Sequence, residues 1–315
     1  MTRAVGQTVW SGRLHPDWSL GQSLAVRTMQ GLLSGLVEAP VAVHRGALDV
    51  PGPGAPSGVT VTDEVGPNGR PMRVFRPRNA DETARVLHFH GGGYVVGQPG
   101  RESDFLGQLA LDVGCPVVAL GYRLAPEHSA SEALDDAVAG VFGVVASGVS
   151  PDKIALWGDS AGGGLVLRLL MRLRDEGGPR FAGAVLGSPW VEMGSAADSF
   201  RANAQWDYLP PKLVELWASW THPEPSSAEV SPIRGDLSAL PPLVFLAGEL
   251  ECFRDDIRRC VAQVHEQGGQ AELLEGALGV HCWYLTSLLP GDPSVGPKVN
   301  RRILGWLEAG AEAVP

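Results

Sequence analysis

The chain has 315 residues, 44% of them hydrophobic and 19% charged, with a formal net charge of −10. That size suits one large domain or two small ones, with enough apolar material for an extended sheet. An acidic balance without any basic cluster argues against nucleic acid or an anionic membrane surface as partner.

No apolar run approaches the roughly 18 residues that a membrane span requires. The opening "MTRAVGQTVWSGRLHPDW" lacks the charged-then-apolar pattern of a secretory leader. Cys115, Cys252, Cys260 and Cys282 form no CxxC pair and are expected to be buried free thiols. Together these features point to a cytoplasmic protein.

In chain order, helical periodicity in "LGQSLAVRTMQGLLSGLVEA" gives way to the loop "DVPGPGAPSG". "GVTVTDEV" and "RPMRVFRP", separated by "GPNG", predict an antiparallel hairpin. Strands and helices then alternate. Strands are expected at "ARVLHF", "CPVVALGY", "KIALWG", "FAGAVLGS", "PPLVFLAG" and "AELLEG". The intervening helices are expected near 101–113, 131–146, 161–175 and 254–267, with a last one at 296–309. Repeated βα units with nearly continuous apolar strands predict an α/β fold, a mostly parallel sheet covered on both faces. About fifty residues between "LGSPW" and "LPPLVF" break the alternation and carry Trp206, Trp217 and Trp220. A segment so long needs structure of its own, and an inserted lid is expected there.

Two glycine-rich stretches carry the chemistry. "IALWGDSAGGGL" places Ser160 in the frame Gly158-Asp159-Ser160-Ala161-Gly162, with a strand before it and helical spacing after it. A G-x-S-x-G in that context is a nucleophile elbow, where the serine hydroxyl stands exposed on a strained turn. "GDSAGGG" also resembles the "GDSGG" of chymotrypsin-like proteases, but those are all-β with histidine and aspartate ahead of the serine. "FHGGGYVVG" ends another strand, and its glycines admit a close approach to the backbone. Backbone N–H groups of Gly91 and Gly92, with that of Ala161, would hold an oxyanion.

A serine needs a base. Of the histidines after Ser160, His222 falls in the lid and His265 inside a helix, which leaves His281, in a loop after "AELLEG". The third member should lie after "PPLVFLAG", where Glu249, Glu251, Asp255 and Asp256 compete. The two aspartates suit a helix start, where carboxylates meet the dipole favourably, and Glu249 lies too near the strand end. Glu251 is the expected acid, with Asp255 next.

The motifs "HGGGY" (90–94), "YRLAPEH" (122–128), "GDSAGGG" (158–164), "SPW" (188–190) and "SPIRGDLSALPPL" (231–243) occur together. On them the chain resembles the hormone-sensitive-lipase-like family of α/β-hydrolases, the bacterial family IV esterases, over about residues 60–310. The resemblance implies the catalytic acid at Glu251, a glutamate where aspartate is more usual, thirty residues before His281. It implies that Arg123 and Glu127 brace the sheet and that His90 shapes the oxyanion loop. It also makes His88 a strand residue rather than half of a metal pair. The histidine loop "GALGVHCW" is longer than the family's compact form.

The expected protein is a serine carboxylesterase with a helical cap built from residues 1–45 and 192–225. The hydrolase core would then be 46–191 and 226–315. Its substrate is a small-molecule ester, its pocket is walled by Tyr94, Trp190, Trp206 and Trp217, and it uses no cofactor or metal. A homodimer is compatible with the sequence. The rival readings are an acyltransferase, lactonase or cyclase using the same residues, and a non-catalytic small-molecule receptor.

Overall fold

The computed structural model describes residues 12–66 and 69–309. Trp10, expected in the cap, lies outside the described residues, as do Pro67 and Asn68 of the hairpin turn. Eight strands form one sheet: β1 (Val59–Val65), β2 (Pro71–Pro77), β3 (Arg85–Phe89), β4 (Val117–Leu120), β5 (Ile154–Asp159), β6 (Gly183–Gly187), β7 (Leu243–Gly248) and β8 (Ala271–Gly276). Their order across the sheet is β1-β2-β4-β3-β5-β6-β7-β8. β1 pairs antiparallel with β2, and β2 antiparallel with β4, while every pair from β4 to β8 is parallel. Every residue of β4, β5, β6 and β7 is buried, which explains their unbroken apolar sequences.

The helices are α1 (Leu20–Ser34), α2 (Val41–Leu48), α3 (Ser103–Val113), α4 (Ala130–Ala146), α5 (Ala161–Asp175), α6 (Asp198–Ala202), α7 (Pro211–Thr221), α8 (Arg254–Glu266) and α9 (Val295–Ala309). Crossover handedness distributes the helices that cover the sheet. The chain steps from β3 to β4 in one direction through α3, and from β4 back to β5 through α4. Right-handed crossovers running in opposite directions place their helices on opposite faces. Contacts agree: α4 packs on α5, and α9 returns to pack on α3. Capping boxes start two helices, Ser19 with Gln22 at α1 and Ser129 with Glu132 at α4.

This winding reverses between β3 and β5, which are neighbours paired from Arg85↔Ile154 to Phe89↔Gly158. The loops leaving their C-terminal ends diverge there and open a crevice, the usual ligand position of such sheets. "HGGG" follows β3 and Ser160 follows β5. The fold thus sets both glycine-rich stretches side by side. Helix α1 packs against α7 beyond these strand ends. Among the described residues no helix is long and apolar enough to cross a membrane.

Candidate active site

Ser160 sits between β5 and α5 at φ 54°, ψ −118°, a left-handed φ for a residue with a side chain. Such strain persists only where the surroundings fix it. Here Ser160 N–H donates to Gly187 O at 2.8 Å, and Ser160 O accepts from Gly164 and Trp190 N–H. The Ser160 hydroxyl donates to His281 Nε2 at 2.9 Å. Ser160 and His281, 121 residues apart in sequence, therefore meet in space.

Phe253 and Tyr208 stand edge-on to the imidazole, at 5.2 and 5.9 Å between ring centroids. This enclosure strips water from His281 and lowers its pKa from 6.5 to about 3.

Glu251 is completely buried. Its Oε2 accepts from Ser188 Oγ at 2.6 Å and from Gly248 N–H at 3.0 Å. Burial pushes its carboxyl well above the usual carboxylate range, against these two donors. Among the described residues its Oε1 and His281 Nδ1 both lack a partner though buried, so no hydrogen bond joins the two. The competing acids are occupied elsewhere. Glu249 accepts from Leu278 N–H, Asp255 from Ser199 N–H, and Asp256 pairs with Arg259.

The other two candidate histidines also have partners: His222 faces Glu229, and His265 Nε2–H donates to Ala271 O. His88 Nε2–H donates to Asp159 at 2.7 Å, whose other oxygen accepts from Trp157 and Tyr284.

The N–H groups of Gly91, Gly92 and Ala161 have no acceptor among the described residues. His90 shapes their loop: its Nδ1–H donates to Gly91 O at 2.8 Å while its ring stacks on Tyr122 at 4.3 Å. Gly92 takes φ 117°, and a Cβ there would collide with Val96 O. The protein's own backbone therefore already forbids a side chain at Gly92.

Gly91, Gly92, Ser160 and His281 line a cavity of about 310 Å³ together with Met29 and Leu33 of α1 and Val214 and Trp217 of α7. Of the four residues named for a substrate pocket, Trp190 and Trp217 line this cavity, and Tyr94 and Trp206 do not. The Tyr94 ring is taken up inside the core against Tyr122, and Trp206 packs edge-on to His15. Arg123 and Glu127 also lie outside the cavity. Arg123 braces the start of α4 through Glu132 and Asp136, but Glu127 grips Arg45 of α2 instead of the sheet.

The alpha/beta hydrolase fold family matches residues 86–285. An acetyl-hydrolase of Streptomyces hygroscopicus is 33% identical over 214 residues, 66% of this chain and 71% of the relative. Carboxylesterase NlhH of Mycobacterium tuberculosis is 30% identical over 211 residues, 63% of this chain and 66% of its own. Among solved structures, EstE5 soaked with p-nitrophenyl butyrate superposes with a TM-score of 0.82 at 28% identity, covering 90% of this chain and 99% of that one. An esterase of the bacterial hormone-sensitive lipase family superposes at 0.77 with 31% identity, covering 90% and 96%. The chain belongs to the alpha/beta-hydrolase family, in its hormone-sensitive-lipase-like branch.

Against this hydrolase framework, the residues missed in the sequence are those that hold the loops. Ser188 of "SPW" joins the acid loop to the histidine loop, donating to Glu251 and accepting from Cys282 N–H at 3.0 Å. Ser199, Asn203 and Asp207 recur every four residues, the spacing of one helical face. Ser199 Oγ donates to Cys252 O and Asn203 Nδ2 to Glu251 O, at 2.8 and 2.9 Å. Asp207, fully buried, accepts from Cys252 N–H at 2.7 Å, His281 N–H at 3.2 Å and Tyr208 N–H at 2.8 Å. Burial raises its carboxyl to about 6 in spite of these donors. The polar period in "SFRANAQWD" was the available signal.

Asp207→Asn turns one acceptor into a donor facing a backbone N–H. It should lower kcat by about ten- to a hundredfold through misplacement of His281, with KM nearly unchanged. Titration with a serine-directed phosphonate checks this: kcat per labelled site must fall. A reduced labelled fraction at constant kcat per site would mean only lost folding.

Proposed function

We propose that Ser160, His281 and Glu251 act as nucleophile, base and acid, with the N–H groups of Gly91, Gly92 and Ala161 as the oxyanion site. The protein is a carboxylic ester hydrolase of the serine type, consistent with its esterase and acetyl-hydrolase relatives. The observation that carries the assignment is the Ser160–His281 hydrogen bond at the switch of the sheet.

Ser160 Oγ attacks the ester carbonyl while its proton passes to His281 Nε2. The carbonyl oxygen becomes an oxyanion, and preorganised N–H donors stabilise it, each worth about 2.7–4 kcal/mol. His281 then carries a proton on both nitrogens. Its Nδ1–H and the unpartnered Glu251 Oε1 are complementary, and their bond forms as the imidazolium does. His281 protonates the leaving alcohol, then activates the water that releases the acid.

Of the expected cap segments 1–45 and 192–225, we assign the described residues 12–45 and 192–225 to a cap over this site. The packing of α1 on α7, and the shared lining of the cavity by both helices and Ser160, support that assignment. The four unpaired, buried cysteines favour a reducing compartment.

Activity requires neutral His281, and its enclosure disfavours the charged form. The acid limb of kcat/KM for p-nitrophenyl acetate should therefore lie below the 6.5 of an ordinary imidazole. A pH–rate profile between 4 and 9 (roughly the span free of acid and base denaturation) checks it. Half-maximal activity at or above the ordinary value in wild type and in Glu251→Gln alike would count against His281 as the buried base; a limb lowered only in Glu251→Gln would assign it to the Glu251 carboxyl, which burial raises.

A further inference from the structure

Among the mostly apolar walls of the active-site cavity stand two adjacent charged residues, Arg101 and Glu102. Their place is fixed by backbone. Gly52 N–H donates to Arg101 O at 3.2 Å, and Glu102 immediately precedes α3. Arg101 Nε donates to Glu102 Oε1 at 2.7 Å, with the side chains only 23% and 10% exposed. The two terminal nitrogens of Arg101 have no acceptor among the described residues.

An alkyl chain lying against those nitrogens would remove their water and return nothing, which buried donors tolerate poorly. A ligand bearing an oxygen at that point would restore the lost hydrogen bond. The charge balance decides what kind of oxygen. Glu102 already neutralises Arg101, and Asp49 lies near enough to act on both. Asp159, held by His88, lines the same cavity. His90 adds no positive charge at neutral pH, since burial lowers its pKa to about 4. A ligand carboxylate would therefore be an unmatched buried anion, which is strongly unfavourable. An uncharged oxygen meets no such obstacle.

We propose that the Arg101–Glu102 pair makes the enzyme selective for esters carrying a second, uncharged oxygen acceptor several bonds from the scissile carbonyl. Ketone, ether and ester oxygens qualify; free carboxylates do not. The inference rests on the esterase reading above and names its substrate class.

Three p-nitrophenyl esters identical except at carbon 5 test it: 5-methylhexanoate, 5-oxohexanoate and hydrogen glutarate. A parallel series places the same groups on the alcohol side: the acetates of 4-methylpentan-1-ol and 5-hydroxypentan-2-one, and 4-acetoxybutanoate, followed by pH-stat. Spontaneous hydrolysis is subtracted throughout. In at least one series the ketone should exceed its methyl analogue by about tenfold in kcat/KM, with the carboxylate slowest.

Arg101→Met should bring the ketone-to-methyl ratio to within about twofold of unity. Because that change alone strands Glu102, the double variant Arg101→Met/Glu102→Gln is measured beside it and should give the same ratio. No ketone preference in either series, a preferred carboxylate, or a ratio that survives in the folded double variant would each overturn the proposal. Failure to turn over any of these esters, or p-nitrophenyl acetate, would instead refute the esterase reading itself.

Discussion

Ser160→Ala is expected to lower ester hydrolysis by about ten-thousandfold or more while the protein folds as before. The loss is large because the proposed nucleophile and base act as one unit, and among the described residues His281 bonds no other hydroxyl. Folding should survive because the Ser160 side chain points at the cavity and its one side-chain hydrogen bond is to His281. The strained backbone is held by main-chain bonds to Gly187, Gly164 and Trp190, which alanine keeps. Two measurements check this: turnover of p-nitrophenyl acetate, and mass spectrometry after a serine-directed phosphonate. Wild type should take one label, on Ser160, and the variant none. A label on another serine would sink the assignment.

Glu251→Gln should cost about a thousand- to ten-thousandfold in kcat, by a route the geometry makes specific. Oε2 takes two donors, Ser188 and Gly248, so the amide oxygen of glutamine will occupy that place. The amide nitrogen then takes the place of Oε1, the atom proposed above to receive His281 Nδ1–H. It donates there, fixes the proton on Nε2, and leaves Ser160 without a base. Stability should move the other way. Burial raises the folded-state pKa of Glu251 above its unfolded value. Stability is then fully present below the unfolded pKa and is lost as pH rises through the folded one. Glutamine carries no charge to desolvate, so at pH 8 (roughly the upper end of the usual stability range) the variant should melt no lower than wild type. Asp255→Asn should do far less, since that carboxylate serves Ser199 and Arg254 at the start of α8. A reversed ranking of the two variants would move the acid to Asp255.

Much of this was legible along the chain because the signals are local. The βα alternation follows from periodicity, and α5 and β8 run exactly as far as their sequence patterns predict, Ala161–Asp175 and Ala271–Gly276. "GDSAGGG" between a strand and a helix needs nothing distant to be read as an elbow. The choice of His281 over His222 and His265 needed only chain order, and the structure brings that residue to Ser160.

What the sequence could not decide is what side chains do across the sheet. Whether Tyr94 and Trp206 face a pocket depends on which neighbours claim their rings, and Tyr122 and His15 do. Asp207 looks like any surface aspartate until the chain folds back and sets three backbone N–H groups around it. Arg101 and Glu102 read as an ordinary helix start until the crevice between β3 and β5 turns them into its wall. Sequence by itself determined the elements and singled out Ser160 and His281, the pair that the fold brings together, because period, glycine placement and order are properties of neighbours in the chain. Only the tertiary structure decided the clamps and the polar spot in the pocket, because burial and pairing join residues far apart in sequence.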